Sequence, residues 1–244
     1  MRYKNIIEAR LIDRPNRFIA NVDINGVKEV VHVKNTGRCK ELIISGAKVY
    51  LAVAENPERK TKYDLIAVEK KLVLNTKFKN GIKPIKAETI LLVNMDSQVP
   101  NSLVEEWLRK GNLFSKNAII RREFTYHNSR FDFYIEDCGR KVLMEVKGGT
   151  LENNGIASFP DAPTERGVKH IKELQKSLSE GYEAFLFFVI QMEAVKYFCP
   201  NDINHKAFGD ALREGVRAGV KIIAMDCKVT PASIEINAPV EVCL

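Results

Sequence analysis

Between residues 130 and 147 the chain alternates twice between polar and apolar positions. In 130–135, Arg130, Asp132 and Tyr134 take turns with Phe131, Phe133 and Ile135. In 141–147, Leu143, Glu145 and Lys147 take turns with Val142, Met144 and Val146. A period of two sends successive side chains to opposite faces of a strand. The polar segment between the runs, with Asp137 and Gly139, reads as a hairpin turn. With a four-residue turn Asp137–Arg140, Glu136 faces Lys141, Asp132 faces Glu145 and Arg130 faces Lys147. A slip of one residue moves one partner of each pair to the other face.

Short apolar strands are also predicted at 5–12, 17–24, 27–33, 47–54 and 62–69, with Asn25-Gly26 as a hairpin signal between two of them. Five short strands with little helix suggest a small all-β Greek-key barrel of the OB type. The lysine-rich, polar stretch 75–88 reads as a connector, which places a domain boundary at 82/83.

Beyond it the pattern changes. A helix is predicted over 101–110, with Asn101 or Ser102 as cap, Leu103, Val104, Trp107 and Leu108 as its stripe, and Gly111 as its stop. A strand at 118–127 leads into the hairpin, and a polar loop follows Thr150. A second helix runs to about Glu180, capped by Asp161 or Thr164. Its apolar stripe is Val168, Ile171, Leu174 and Leu178, with Arg166, Lys169, His170 and Glu173 opposite. The continuous apolar run 183–190 fits a strand buried on both faces. A helix at 204–217, a strand at 220–226 and one edge strand beyond Pro231 complete an α/β layer over 83–244.

Composition narrows the function. The 244 residues carry 38 Lys and Arg against 31 Asp and Glu, a net charge of +7, which is compatible with a polyanionic partner. Five dispersed cysteines form neither a disulfide framework nor a zinc ribbon. Asn5, Glu8, Arg10, Asp13 and Arg14 break up any signal-peptide pattern. No apolar run approaches the ~20 residues of a membrane span. A cytoplasmic protein without membrane contact is the expectation.

The hairpin supplies the chemistry. Two facing carboxylates repel unless a cation lies between them, and Mg²⁺ prefers a few carboxylates while keeping several waters. Lys147, two residues from Glu145, shares its face and suits the charge of a phosphate in reaction. Together they make a kit for phosphodiester hydrolysis, although a Glu-Val-Lys strand is also an ordinary surface ion pair. Arg166, Lys169 and His170 form a candidate basic wall for phosphate. In the barrel, Arg14, Arg17, Lys34, Arg38 and Lys40 are basic. The turn Asn35-Thr36-Gly37-Arg38 joins backbone donors to a guanidinium, which suits a phosphate.

The order helix, strand, Asp-strand, Glu-x-Lys-strand, helix, strand resembles the PD-(D/E)xK nuclease superfamily. More specifically, the chain resembles the sugar fermentation stimulation protein A family. The resemblance rests on Val31–Arg38, Gln98-Val99-Pro100-Asn101, Ser129–Phe133, Glu145-Val146-Lys147-Gly148 and Phe159–His170, the last being the most distinctive. It implies an N-terminal OB-like domain followed by a nuclease-like α/β domain with a central mixed sheet. It also implies non-specific binding of double- or single-stranded DNA and a regulatory role in sugar (maltose) utilisation.

By that resemblance Asp132, Glu145 and Lys147 fall on the catalytic positions. Asp132, Glu145 and Val146 fall on the positions for Mg²⁺ or Mn²⁺. The implied DNA contacts are Arg17, Lys34, Arg38, Arg130, Thr164, Arg166, Lys169 and His170. The superfamily's Pro-Asp reads Phe131-Asp132 here, which keeps the carboxylate. Val33-Lys34 and Gly148-Gly149 also differ from the usual family forms. Three readings stay open: a Mg²⁺-dependent nuclease, a non-catalytic DNA-binding regulator on a nuclease-like fold, and a single-strand- or RNA-binding OB protein.

Overall fold

Asn25 and Gly26 both adopt positive φ, 53° and 85°, and reverse the chain between β2 (Ile19–Ile24) and β3 (Val27–Val33). Two central residues of that conformation match the twist of the strands they join. The computed structural model describes residues 1–56, 58–75 and 86–244. They divide into two units: Arg2–Asp96 with Val229–Ser233, and Met1 with Ser97–Lys228 and Ile234–Leu244.

In the first unit, β1 (Ile6–Asp13) pairs antiparallel with β2 and with β4 (Lys48–Val53). β4 pairs with β5 (Tyr63–Asn75), and β3 closes on β5 in parallel at His32↔Asp64 and Val33↔Leu65. The five strands therefore form a closed OB barrel, with the alternating residues Leu11, Ala20, Val22, Val31, Val33 and Leu65 buried inside. A sixth strand, β6 (Lys86–Asn94), extends β5 and is not expected from the hydropathy pattern. The boundary expected at 82/83 lies outside the described residues; β6, on its far side, joins the first unit.

The second unit begins with α1 (Val99–Arg109), which starts earlier than expected. Gln98 occupies the cap position without a side-chain capping bond to the helix, and Pro100 fills the first turn, where a missing N–H costs nothing. Asn101 is thus inside the helix and its side chain is released from capping.

The main sheet has the order β15-β14-β12-β9-β8-β7. Its strands are β7 (Ile119–Tyr126), β8 (Ser129–Asp137), β9 (Arg140–Gly149), β12 (Glu183–Ile190), β14 (Lys221–Thr230) and the edge strand β15 (Ser233–Pro239). β12 runs parallel to both β9 and β14, while β8 is antiparallel to β7 and β9, so the sheet is mixed. Phe185 to Ile190 are all buried, as a central parallel strand requires.

The loop expected after Thr150 contains a small hairpin, β10 (Leu151–Asn153) and β11 (Ile156–Phe159). A second sheet orders β10-β11-β13-β16, with β13 at Tyr197–Pro200 and β16 at Glu241–Val242. α2 (Glu165–Leu178) and α3 (Asp202–Ala218) supply the crossovers. Among the described residues no helix is long and apolar enough to cross a membrane.

Candidate functional site

The β8–β9 turn consists of Cys138 and Gly139, both with positive φ (50° and 79°), between the paired residues Asp137 and Arg140. Ser115 anchors it, donating from its N–H (3.0 Å) and its hydroxyl (2.6 Å) to the Asp137 carboxylate. The register matches the sequence reading: Glu136 pairs with Lys141, and pairing continues to Phe133↔Met144. The pairing ends there, one residue short of the expected Asp132–Glu145 pair, and a side chain takes over from the ladder. The Val146 N–H donates to Asp132 Oδ2 at 2.7 Å. Asn101, from the first turn of α1, donates to Asp132 Oδ1 at 2.7 Å. Both carboxylate oxygens are thereby aimed.

Glu145 is only 3% exposed. Its Oε1 is shared by the Lys147 ammonium and by His170 Nδ1, the latter at 2.5 Å. Arg166 donates its Nε–H to His170 Nε2 at 3.3 Å, so Nε2 is an acceptor and Nδ1 carries the proton given to Glu145. Glu145 Oε2 is buried and has no hydrogen-bond partner. An orphaned carboxylate oxygen in the interior is costly, about 1–3 kcal/mol or more.

The two carboxyls are pushed apart. Burial, and then the Glu145 charge, raise Asp132 above the ordinary carboxylate range against the Val146, Lys147 and Asn101 contacts. Burial also presses Glu145 upward, but the His170 hydrogen bond and the Lys147 charge outweigh it and hold it low. Glu145 therefore ionises first, and its charge makes ionisation of Asp132 harder.

Gly148 lets α1 approach β9. A Cβ there would lie 2.6 Å from Gln191 Oε1 and 2.8 Å from Pro100 Cγ. Gln191 follows the last residue of β12 and is 1% exposed. Asn101 and Gln191 are absent from the site expected from sequence. Asn101 reads locally as a cap, and the one signal for Gln191 is an amide directly after a continuous apolar run.

The expected nucleic-acid contacts divide. Arg166 is exposed and touches the site through His170. His170 does not stand on an open basic wall: it is 4% exposed. The buried stripe of α2 is Gly167, His170, Ile171, Leu174 and Ser177, because the Glu145 bond satisfies the imidazole inside. Thr164 caps α2, accepting the Gly167 N–H at 3.1 Å. Lys169 donates to the Asn128 carbonyl at 2.8 Å, and Arg130 pairs with Glu123 at 3.0 Å on the surface. Val146 gives its N–H to Asp132 and lies beside Phe187 of β12.

In the barrel, Lys34 is committed inward to the buried Asp96 at 2.7 Å. Arg17 is exposed, its guanidinium 5.0 Å from the Phe18 ring centre, and Arg38 is exposed. The 35–38 turn is more occupied than expected. Its Gly37 N–H bonds Asn35 Oδ1 at 2.8 Å. The Arg14 guanidinium donates to the carbonyls of Arg17, Asn35, Gly37 and Arg38.

Among the described residues no three His, Cys, Asp or Glu side chains gather as a metal-binding group. The arrangement is instead two carboxylates, one of them with a bare oxygen, flanked by a lysine, an asparagine and an imidazole–guanidinium pair.

Comparison with known proteins matches residues 12–75 to the SfsA N-terminal OB domain and residues 98–233 to the sugar fermentation stimulation protein RE domain. A sugar fermentation stimulation protein homolog from Ruminiclostridium cellulolyticum is 54% identical over 242 residues, covering 99% of each chain. A homolog from Clostridium beijerinckii is 51% identical over 244 residues, covering 100% of each. The solved structure of Pyrococcus furiosus SfsA in complex with Ca²⁺ superposes with a TM-score of 0.80 at 25% identity, covering 100% of this chain and 98% of that one. Full-length similarity at this level leaves one assignment: the chain belongs to the sugar fermentation stimulation protein family.

Proposed function

We propose that this protein binds DNA non-specifically and hydrolyses its phosphodiester bonds with a divalent cation held by Asp132 and Glu145. The observation that carries the reading is Glu145 Oε2, a buried carboxylate oxygen with no partner, electrostatically coupled to the Asp132 carboxyl. A hard cation such as Mg²⁺ or Mn²⁺ answers both that orphan and the repulsion. The archaeal relative described with Ca²⁺ lends support, since Ca²⁺ belongs to the same class of ion. When bound, the ion supplies charge neutralisation and a more acidic water.

The chain's own residues do the rest. Asn101 and the Val146 N–H hold Asp132 in one orientation, and His170 holds Glu145. Lys147 stands at Glu145, where its ammonium can move to a water or to the developing charge on a phosphate. The exposed Arg166 can offer its guanidinium to a non-bridging phosphate oxygen, and Arg17 and Arg38 offer sequence-independent backbone contacts on the barrel. Five free thiols suit a reducing cytoplasm. The sugar-utilisation link in the family name then acts through DNA.

A second reading, DNA binding without cleavage, has one observation in its favour. Lys147 is paired with Glu145, so its charge neutralises a neighbour instead of standing free. Incubation with linear, nicked, supercoiled and single-stranded DNA in Mg²⁺, Mn²⁺ or EDTA separates the two. Metal-dependent cleavage that disappears in Asp132→Ala and Glu145→Ala is expected. Cleavage surviving both substitutions removes this site from the chemistry. Binding without cleavage on every substrate favours the second reading.

A further inference from the structure

Of the five free cysteines, Cys199 lies in β13 and Cys243 directly follows β16, its parallel neighbour. β13 and β16 pair at Tyr197↔Glu241 and Phe198↔Val242. The Cys243 N–H donates to the Phe198 carbonyl at 2.9 Å, the bond expected beside the Phe198↔Val242 pair, so Cys243 keeps the parallel register. The next residues in register are Cys199 and Cys243, and in-register neighbours project to the same face. Adjacent strands are about 4.8 Å apart, inside the ~4.4–6.8 Å Cα separation of disulfides. In keeping with that register, burial first and then the neighbouring Cys243 raise the Cys199 thiol. Both thiols are free; Cys243 is exposed and Cys199 half-buried.

We propose that Cys199 and Cys243 are a reversible modification site that closes to a disulfide under peroxide and fastens β16 to β13. The exposed Cys243 meets the oxidant first. Its thiolate attacks one peroxide oxygen, the O–O bond breaks, one water leaves, and Cys243 becomes a sulfenic acid. The Cys199 sulfur then attacks the Cys243 sulfur, the S–O bond breaks, and a second water leaves with the remaining proton. In sum, two thiols and one hydrogen peroxide give one disulfide and two waters. The half-buried, less acidic Cys199 suits the resolving role, since it reacts slowly with solvent oxidant but has its partner at hand.

Of the other cysteines, Cys39 and Cys227 are buried, and Cys138 sits in the β8–β9 turn. β13 also leads into Asn201, whose side chain caps α3 through the Asn204 N–H (3.2 Å) and donates to the Pro160 carbonyl (3.2 Å). The bridge therefore secures the strand that anchors the segment preceding α2.

The test treats the full reduced chain with hydrogen peroxide, blocks free thiols by alkylation, and maps peptides by mass spectrometry. A peptide pair joining Cys199 to Cys243, separated by reductant and absent in Cys243→Ser, is expected. Hydrogen exchange at the Cys243 amide should slow by about tenfold or more in the oxidised form, as a local opening is suppressed. Three results overturn the proposal: both cysteines alkylated after peroxide, Cys243 carried to a sulfinic acid with Cys199 still alkylated, or a bridge to Cys138 in place of Cys199. Unchanged exchange at Cys243 in a bridged sample overturns the fastening. The wild-type chain alone decides these outcomes if Cys243→Ser folds poorly.

Discussion

His170 Nδ1 donates to Glu145 Oε1 across 2.5 Å, joining the middle of α2 to the strand that carries the Glu-x-Lys sequence. The imidazole orients a carboxylate and leaves that carboxylate's other oxygen bare. Groups that orient a metal-binding side chain typically matter ~10–100-fold for metal affinity. His170→Ala should weaken Mn²⁺ binding by about that range, and it should also free the Arg166 guanidinium from its Nε contact. Titration calorimetry on the folded variant checks this. Affinity within twofold of wild type, with native circular dichroism, would mean that His170 only fills space.

Asp132 gives a pH signature. Burial and the Glu145 charge raise its carboxyl in the folded chain. A raised acid is stabilising while protonated, so its contribution is full below the unfolded carboxylate range and is lost as pH rises through the raised value. Asp132→Asn carries no charge at any pH and lacks this loss. In EDTA, the Tm of Asp132→Asn relative to wild type should therefore climb as pH goes from acid to neutral. Mn²⁺ should reverse the ranking by stabilising wild type alone. Scanning calorimetry across pH, with and without metal, is the measurement; parallel profiles would remove the coupling between the carboxyls.

Much of this is legible in the chain, and the rest is hidden for identifiable reasons. The β8–β9 register follows from alternation plus the turn signal of Asp137 and Gly139, both local properties. β6 escapes because its apolar run adjoins a lysine-rich segment, and it is a strand by virtue of pairing with β5. On a helical wheel His170 counts as polar, and only Glu145, 25 residues away in sequence, accounts for its burial. Asn101 looks like a cap because a cap needs only local geometry, whereas its bond to Asp132 spans 31 residues. Lys34 reads as a surface cation since nothing nearby announces the buried Asp96.

Glu183 tests the sheet instead of the site. Arg140 and Lys221 both pair with it, at 2.6 and 2.7 Å. Those hydrogen bonds, Arg140 first, lower its carboxyl from 4.5 to about 2. A depressed acid stabilises above its unfolded value and loses that contribution as pH falls through the folded one. For this partly exposed group, Glu183→Gln should cost about 1 kcal/mol at neutral pH. Relative to wild type the deficit should shrink between pH 4.5 and about 2. Urea unfolding at pH 7 and pH 3 reads it, and an equal deficit at both would assign the loss to packing.

Gly148→Ala probes how α1 reaches the carboxylates. The added Cβ would come within 2.6 Å of Gln191 Oε1 and 2.8 Å of Pro100 Cγ, both closer than a Cβ settles against a neighbour, so both contacts must open. Overpacking of this kind costs about 1–3 kcal/mol. Movement of Pro100 carries Asn101 from Asp132 Oδ1, while movement of Gln191 alone does not. The substitution should therefore lower both stability and metal affinity, whereas Asn101→Ala should lower metal affinity with a smaller stability loss. If Gly148→Ala lost stability but kept wild-type Mn²⁺ affinity, the position of α1 would not govern the site.

Arg166 bears most directly on the proposed DNA contact. Its Nε is fixed on His170, which in turn holds Glu145, and the residue is exposed. Removing a cation that touches one phosphate lowers the log–log salt slope of binding by about one unit. Arg166→Ala should do so and weaken binding uniformly across sequences. Arg130→Ala should change the slope less, because Arg130 is already paired with Glu123 at 3.0 Å. Arg166→Lys keeps the charge but loses the Nε–H, so it should retain most of the salt slope while losing cleavage, since an ammonium cannot hold His170 and a phosphate at once. Fluorescence anisotropy over a salt series, paired with a cleavage assay, separates these outcomes. An unchanged slope in Arg166→Ala would move the DNA-binding surface away from this helix.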